Sequence, residues 1–113
     1  MAREVLAGYP AVRVAGFSGL LMDFVSSVGA SVILRGLRAA SDFEYEFQMA
    51  LMNRKLRHTV ETVFMMPHER YTYISSRLIK EVASLGAGVN GLVPPPVEAR
   101  LTQKFSRGQS HAR

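Results

Sequence analysis

Cysteine is absent from all 113 residues, which excludes a disulfide framework, a thiolate metal site and a cysteine nucleophile. No apolar run approaches the roughly 20 residues that a bilayer crossing needs. The opening MAREVLAGYP has no secretory-leader layout, because Arg3 and Glu4 stand where the apolar region belongs. The expectation is a cytoplasmic protein with no membrane partner. His58, His68 and His111 have no metal-ligand spacing, and no metal site is expected. Neither a nucleophile elbow nor a phosphate-binding P-loop occurs.

What remains is the composition of a globular domain, 48% hydrophobic and 20% charged. The length suits a single domain with its own core. Net charge is +5, from 14 basic and 9 acidic residues. Part of that excess sits in SRGQSHAR, residues 106–113, which reads as a disordered basic tail. The other basic residues are scattered and not interleaved with aromatics, so nucleic acid is not the expected partner.

Residues 11–17, AVRVAGF, alternate apolar and polar and read as a strand. Residues 19–30 carry Leu20, Leu21, Phe24, Val25 and Val28 at helical spacing, with Gly29 as a stop. SVILRGL, 31–37, is a continuous apolar run, the pattern of a strand covered on both faces. Residues 41–56 predict a helix opened by a capping box of Ser41 and Glu44. That helix carries two apolar stripes, Phe43, Phe47, Ala50 and Leu51 on one side and Tyr45, Met49 and Met52 on another. It should therefore be buried on two sides. ETVFMMPH, 61–68, reads as a second buried strand, and 75–86 as a helix with serine at its start and Gly86 at its end. A last helix is expected over 96–105, with proline in its first turn.

Strands alternating with helices imply an α/β fold with a parallel sheet. Ligands of such sheets bind outside the carboxyl ends of the strands, which directs attention to 17–21, 35–38 and 68–77. Arg35 and Arg38 flank Gly36 and can fork onto phosphate oxygens. Ser75 and Ser76 stand at a helix N-terminus, where an anion is favoured, although serine is also a plain N-cap. Glu46 reads equally as a solvent-facing helix residue and as a hydrogen-bond acceptor for a ligand. Tyr71 and Tyr73 are either core or a face for a stacked base. These residues together predict a phosphate- or nucleotide-binding α/β domain.

GFSGLLMDF, ILRGLRAASDFEYEFQMALMNRKL, ETVFMMP and YTYISSRLIKEV closely resemble, in that order, bacterial phosphopantetheine adenylyltransferases. The RGLRxxxDFEYExQ…N block is the most specific part. The resemblance implies a Rossmann-like parallel sheet with flanking helices. It also implies adenylyl transfer from ATP, with Mg²⁺, to 4′-phosphopantetheine, in a cytoplasmic homo-oligomer (a hexamer in the family) open to feedback inhibition by coenzyme A. Arg35 would then contact the phosphate of 4′-phosphopantetheine and Leu21 its arm. Gly36, Leu37 and Arg38 would line the ATP triphosphate, with Arg38 supporting catalysis, and Glu46 would face the nucleotide. Tyr71, Thr72, Tyr73, Ile74, Ser75, Ser76 and Arg77 would wrap adenine and phosphates, with Arg77 replacing a small hydroxyl residue.

The family's T-x-G-H motif, whose histidine stabilises the transferring phosphate, does not occur in these residues. By this resemblance residues 1–105 correspond to the C-terminal two-thirds of one nucleotidyltransferase domain. The family's sheet order, 3-2-1-4-5, would keep AVRVAGF apart from SVILRGL and leave inner edges unpaired. Such a chain is expected to be inactive alone, or else a non-catalytic nucleotide-binding or subunit-joining fragment.

Overall fold

Two glycines mark where helices stop. Helix α2, Leu21–Ser27, is followed by Gly29 at φ 71°, and the N–H groups of Gly29 and Ala30 return to the carbonyls of Ser26 and Val25. Helix α4, Ser76–Ser84, ends the same way: Gly86, at φ 85°, and Ala87 donate to Ala83 and Val82. Both are Schellman endings, which need a residue tolerant of the left-handed region. At the other end of α4 the Ser75 hydroxyl accepts from the Leu78 N–H at 3.1 Å, the geometry of an N-cap.

The computed structural model describes residues 1–109, without the side chains of residues 40, 41, 108 and 109; His111 and the rest of 110–113 lie outside the described residues. The remaining elements are α1, Ala2–Val5; β1, Val32–Gly36; α3, Ala40–Leu56; β2, Glu61–Met65; a 3₁₀ turn, Glu69–Tyr71; and α5, Pro95–Gln109. The expected start of α3 is corrected. Its N-cap is Ala39, with extended backbone and no capping side chain, so Ser41 lies inside the helix and its side chain is outside those described. Two N–H groups, of Asp42 and Phe43, converge on the Ala39 carbonyl, which starts the helix ahead of Ser41. The last helix runs through Gln109 and so takes in the first half of the segment expected as a disordered tail.

The chain forms two compact units. The first, Gly16–Tyr73, holds β1, α3 and β2 as a strand–helix–strand unit. Its two strands pair in parallel, from Val32 opposite Glu61 to Gly36 opposite Met65. This is an α/β arrangement with a parallel sheet flanked by helices, as expected. Its core is Met22, Val25 and Val60, with Leu21 and Ile33 packed against them. Phe17 stacks on Phe24 at 4.6 Å.

AVRVAGF, expected as a strand, forms no ladder: residues 12–18 are irregular and, among the described residues, no strand pairs with them. The expected two-sided burial of β1 is also corrected. Only Ile33 is half-buried, while Val32 and Leu34 stay exposed, since α3 covers one face of a two-stranded sheet and nothing described covers the other.

The second unit joins Met1–Ala15 to the chain from Ile74 onward. Here α4 packs on α5, Ile79 and Val89 are buried, and Arg100 reaches Glu4 at 2.6 Å to tie α5 to α1. Burying a side chain such as Ile79 contributes about 1.5–3 kcal/mol.

Candidate functional site

Strand β1 delivers Arg35 at its carboxyl end, and the loop into α3 delivers Arg38 four residues before Asp42. Asp42, Glu46, Ala50 and Asn53 recur at intervals of four, four and three along α3 and so share one face. This polar face is the one turned inward. Asp42, Glu46 and Ala50 are half-buried and Asn53 is buried, whereas Phe43, Tyr45, Phe47, Met49, Leu51 and Met52 are all exposed. The expectation of an apolar helix buried on two sides is therefore corrected. Large side chains surround α3, and the face that meets β1 is the one carrying carboxylates that the arginines can satisfy.

Those carboxylates pair with the arginines. Arg35 forks onto Glu46: its Nε donates to Oε2 at 2.8 Å and its Nη2 to Oε1 at 2.5 Å. Arg38 Nε donates to Asp42 Oδ2 at 3.1 Å. Two parallel charge-assisted bonds hold a guanidinium in one plane. The Arg35 hydrogen bonds and charge hold the Glu46 carboxyl below the usual carboxylate range, against the opposing effect of its burial and of Asp42. The same hydrogen bonds raise Arg35 further above its already high value. Further pairs brace the far end of α3, Arg57 to Asp23 of α2 at 3.4 Å and Arg54 to Glu61 of β2 at 3.1 Å.

Arg35 and Glu46 border a cavity of about 110 Å³, which Leu21, Ile33, Asn53 and Thr62 also line. The structure thus brings together three of the expected site residues, Leu21, Arg35 and Glu46. Gly36 and Leu37 follow directly, and the Leu37 N–H donates to the Met65 carbonyl at 3.0 Å, which anchors the loop leading to Arg38. Sequence reasoning gave no role to Asp42, Asn53 and Thr62. The i,i+4 step from Arg38 to Asp42 and the two-turn step from Glu46 to Asn53 are signals that mark the first two.

The expected nucleotide segment is divided between the units. Tyr71, Thr72 and Tyr73 belong to the first, Ile74 to Arg77 to the second. Tyr71 meets His68 edge-on at 6.5 Å and lies 5.8 Å from the Arg70 guanidinium, while the Thr72 hydroxyl donates to the Glu69 carbonyl at 2.5 Å. His68 Nδ1 accepts from the Arg70 N–H, fixing the start of the 3₁₀ turn. Tyr73 is exposed and Ile74 half-buried. Ser75 is engaged as the cap of α4, and Ser76 and Arg77 are exposed in its first turn. Among the described residues no three His, Asp or Glu side chains come together as a metal ligand set, and no helix is long and apolar enough to cross a membrane.

A cytidylyltransferase-like family model matches residues 1–82. Curated relatives are named phosphopantetheine adenylyltransferase. That of Thiobacillus denitrificans is 58% identical over 93% of this chain and 66% of its own length. An Azoarcus relative is 58% identical over 94% of this chain and 65% of its own. The relative from Nitratidesulfovibrio vulgaris is 57% identical over 93% of this chain and 56% of its own. The chain thus spans less than two-thirds of the length of these relatives.

Proposed function

The chain belongs to the cytidylyltransferase-like family, and we propose on that premise that it serves adenylyl transfer from ATP to 4′-phosphopantetheine. The products are dephospho-coenzyme A and pyrophosphate. The observation that carries this reading is the pair of arginines, Arg35 and Arg38, set by α3 carboxylates at the carboxyl end of a parallel strand. The name of the relatives supports the choice of substrates.

The reaction needs no nucleophile from the protein. An oxygen of the 4′-phosphate attacks the α-phosphorus of ATP, a new P–O bond forms, and the bond from that phosphorus to the bridging oxygen breaks to release pyrophosphate. The protein's part is to align the two phosphates and to place positive charge where negative charge accumulates. In this reading Arg35 takes the 4′-phosphate, with Leu21 along the pantetheine arm. Arg38 meets the triphosphate beside the Gly36 and Leu37 backbone, and Tyr71, Thr72 and Tyr73 of the same unit meet the nucleotide. Magnesium brought by the nucleotide would offset negative charge on its phosphates, and such an ion asks for few protein ligands. The setting is the cytoplasm. Assembly with further copies, and inhibition by coenzyme A, belong to the same reading, and the exposed apolar residues of α3 support the assembly.

Because the T-x-G-H sequence is not among these 113 residues, turnover by this chain alone is expected near background, and binding is the decisive test. Calorimetric titration should give saturable binding of 4′-phosphopantetheine and of ATP. Arg38→Ala should weaken ATP about tenfold, the scale of one lost charged hydrogen bond, while leaving the circular dichroism spectrum unchanged. Absence of saturable binding of either compound, or an Arg38→Ala variant that binds ATP like the parent, overturns the reading. The same apolar exposure also favours a second reading, a non-catalytic piece that joins intact subunits; co-purification with a full-length homologue separates the two.

A further inference from the structure

Both oxygens of Glu46 accept from one guanidinium, and its side chain is only 14% exposed against 48% for Arg35. Arg35 is the more open partner. Of the five N–H donors of a guanidinium, the fork uses one on Nε and one on Nη2. Both N–H groups of Nη1 and the second of Nη2 are left, and one from each nitrogen forms another edge with the spacing of phosphate oxygens.

The geometry points to Glu46 as a positioning residue that acts on the substrate's phosphate only through Arg35, by clamping one edge of the guanidinium so that the other is presented ready-made. This rests on the proposed role of Arg35 and adds to the nucleotide contact that resemblance implies for Glu46. An unclamped arginine keeps its rotamer freedom, which ligand binding must then overcome. A clamped one has lost that freedom on folding. Glu46 lies two turns before buried Asn53 on the same helix face, so the clamp itself stands on a regular element rather than a loop. One helical turn earlier, Asp42 accepts from Arg38 Nε at 3.1 Å.

Two measurements on the 113-residue chain test this. The first is a double-mutant cycle on affinity for 4′-phosphopantetheine. Glu46→Gln, which keeps the side chain's shape, should weaken binding about three- to tenfold by itself, yet change it less than about twofold once Arg35 is alanine, because the two act as a unit. Losses that multiply in the double variant mean that Glu46 touches the ligand independently, and overturn the proposal. The second measurement needs no ligand. Exchange of the Arg35 Nε proton with water, followed by ¹⁵N NMR, should be slow in the parent and about tenfold faster in Glu46→Gln, as expected for a proton released from a charge-assisted bond. Equal rates overturn the clamp. If Arg35→Ala leaves 4′-phosphopantetheine affinity unchanged, the functional reading of Arg35 falls, while the exchange rates still judge the clamp.

Discussion

Glu46 titrates in a direction that stability can report. Hydrogen bonds from Arg35 place its folded value below that of the unfolded chain, which lies at about 4.3. A group with a lowered folded value stabilises the protein above its unfolded value, and that contribution fades as pH falls through the folded one. The thermal midpoint of the parent should therefore exceed that of Glu46→Gln at pH 6, and the gap should close on acidification below about pH 4. A gap that is constant from pH 6 to pH 3 excludes an ionised Glu46 as its source. At this scale the sequence was half legible. The two arginines around Gly36 stand out as anion-binding groups from spacing alone. That Arg35 is already engaged by Glu46, eleven residues away, depends on how α3 lies across β1.

Elements were most legible where local chemistry fixes their ends. Gly86 was expected to stop its helix, and it does so at φ 85°, where a side chain is strained whatever space surrounds it. Gly86→Ala should destabilise the protein by about 1–2 kcal/mol, the cost of placing a Cβ in the left-handed region, and urea titration checks this. A loss under a few tenths would mean that the second unit does not depend on this ending. Elements were least legible where burial had to be inferred. Large side chains on several sides of α3 suggested a helix enclosed twice over. The inward face is instead the run of Asp42, Glu46, Ala50 and Asn53, which hydropathy counts as solvent-facing. It is buried because β1 and the loop after it bring two guanidiniums to those carboxylates.

On the scale of the molecule, the first unit carries an apolar surface that its own elements leave open. Val32, Leu34, Val63 and Met65 alternate onto the sheet face opposite Ile33 and Phe64, and all four are exposed. Open sheet faces and edges promote association. Leu34→Lys should change the unfolding free energy by no more than about 0.5 kcal/mol, as for other surface substitutions, while lowering the apparent mass in sedimentation at high concentration. A loss of several kcal/mol would show that Leu34 is packed in the folded protein.

Composition, spacing and turn residues by themselves determined the α/β class, the order of elements from α2 to α5, the helix ends at Gly29, Ser75 and Gly86, and the placing of two arginines after a strand. Each of these follows from interactions within a few residues, or from periodicity along one element. The pairing of Arg35 with Glu46, the polar inward face of α3 and the failure of AVRVAGF to join a sheet were decided only by tertiary structure. A strand needs a neighbour to satisfy its backbone, and a carboxylate is buried only where a cation from another element meets it.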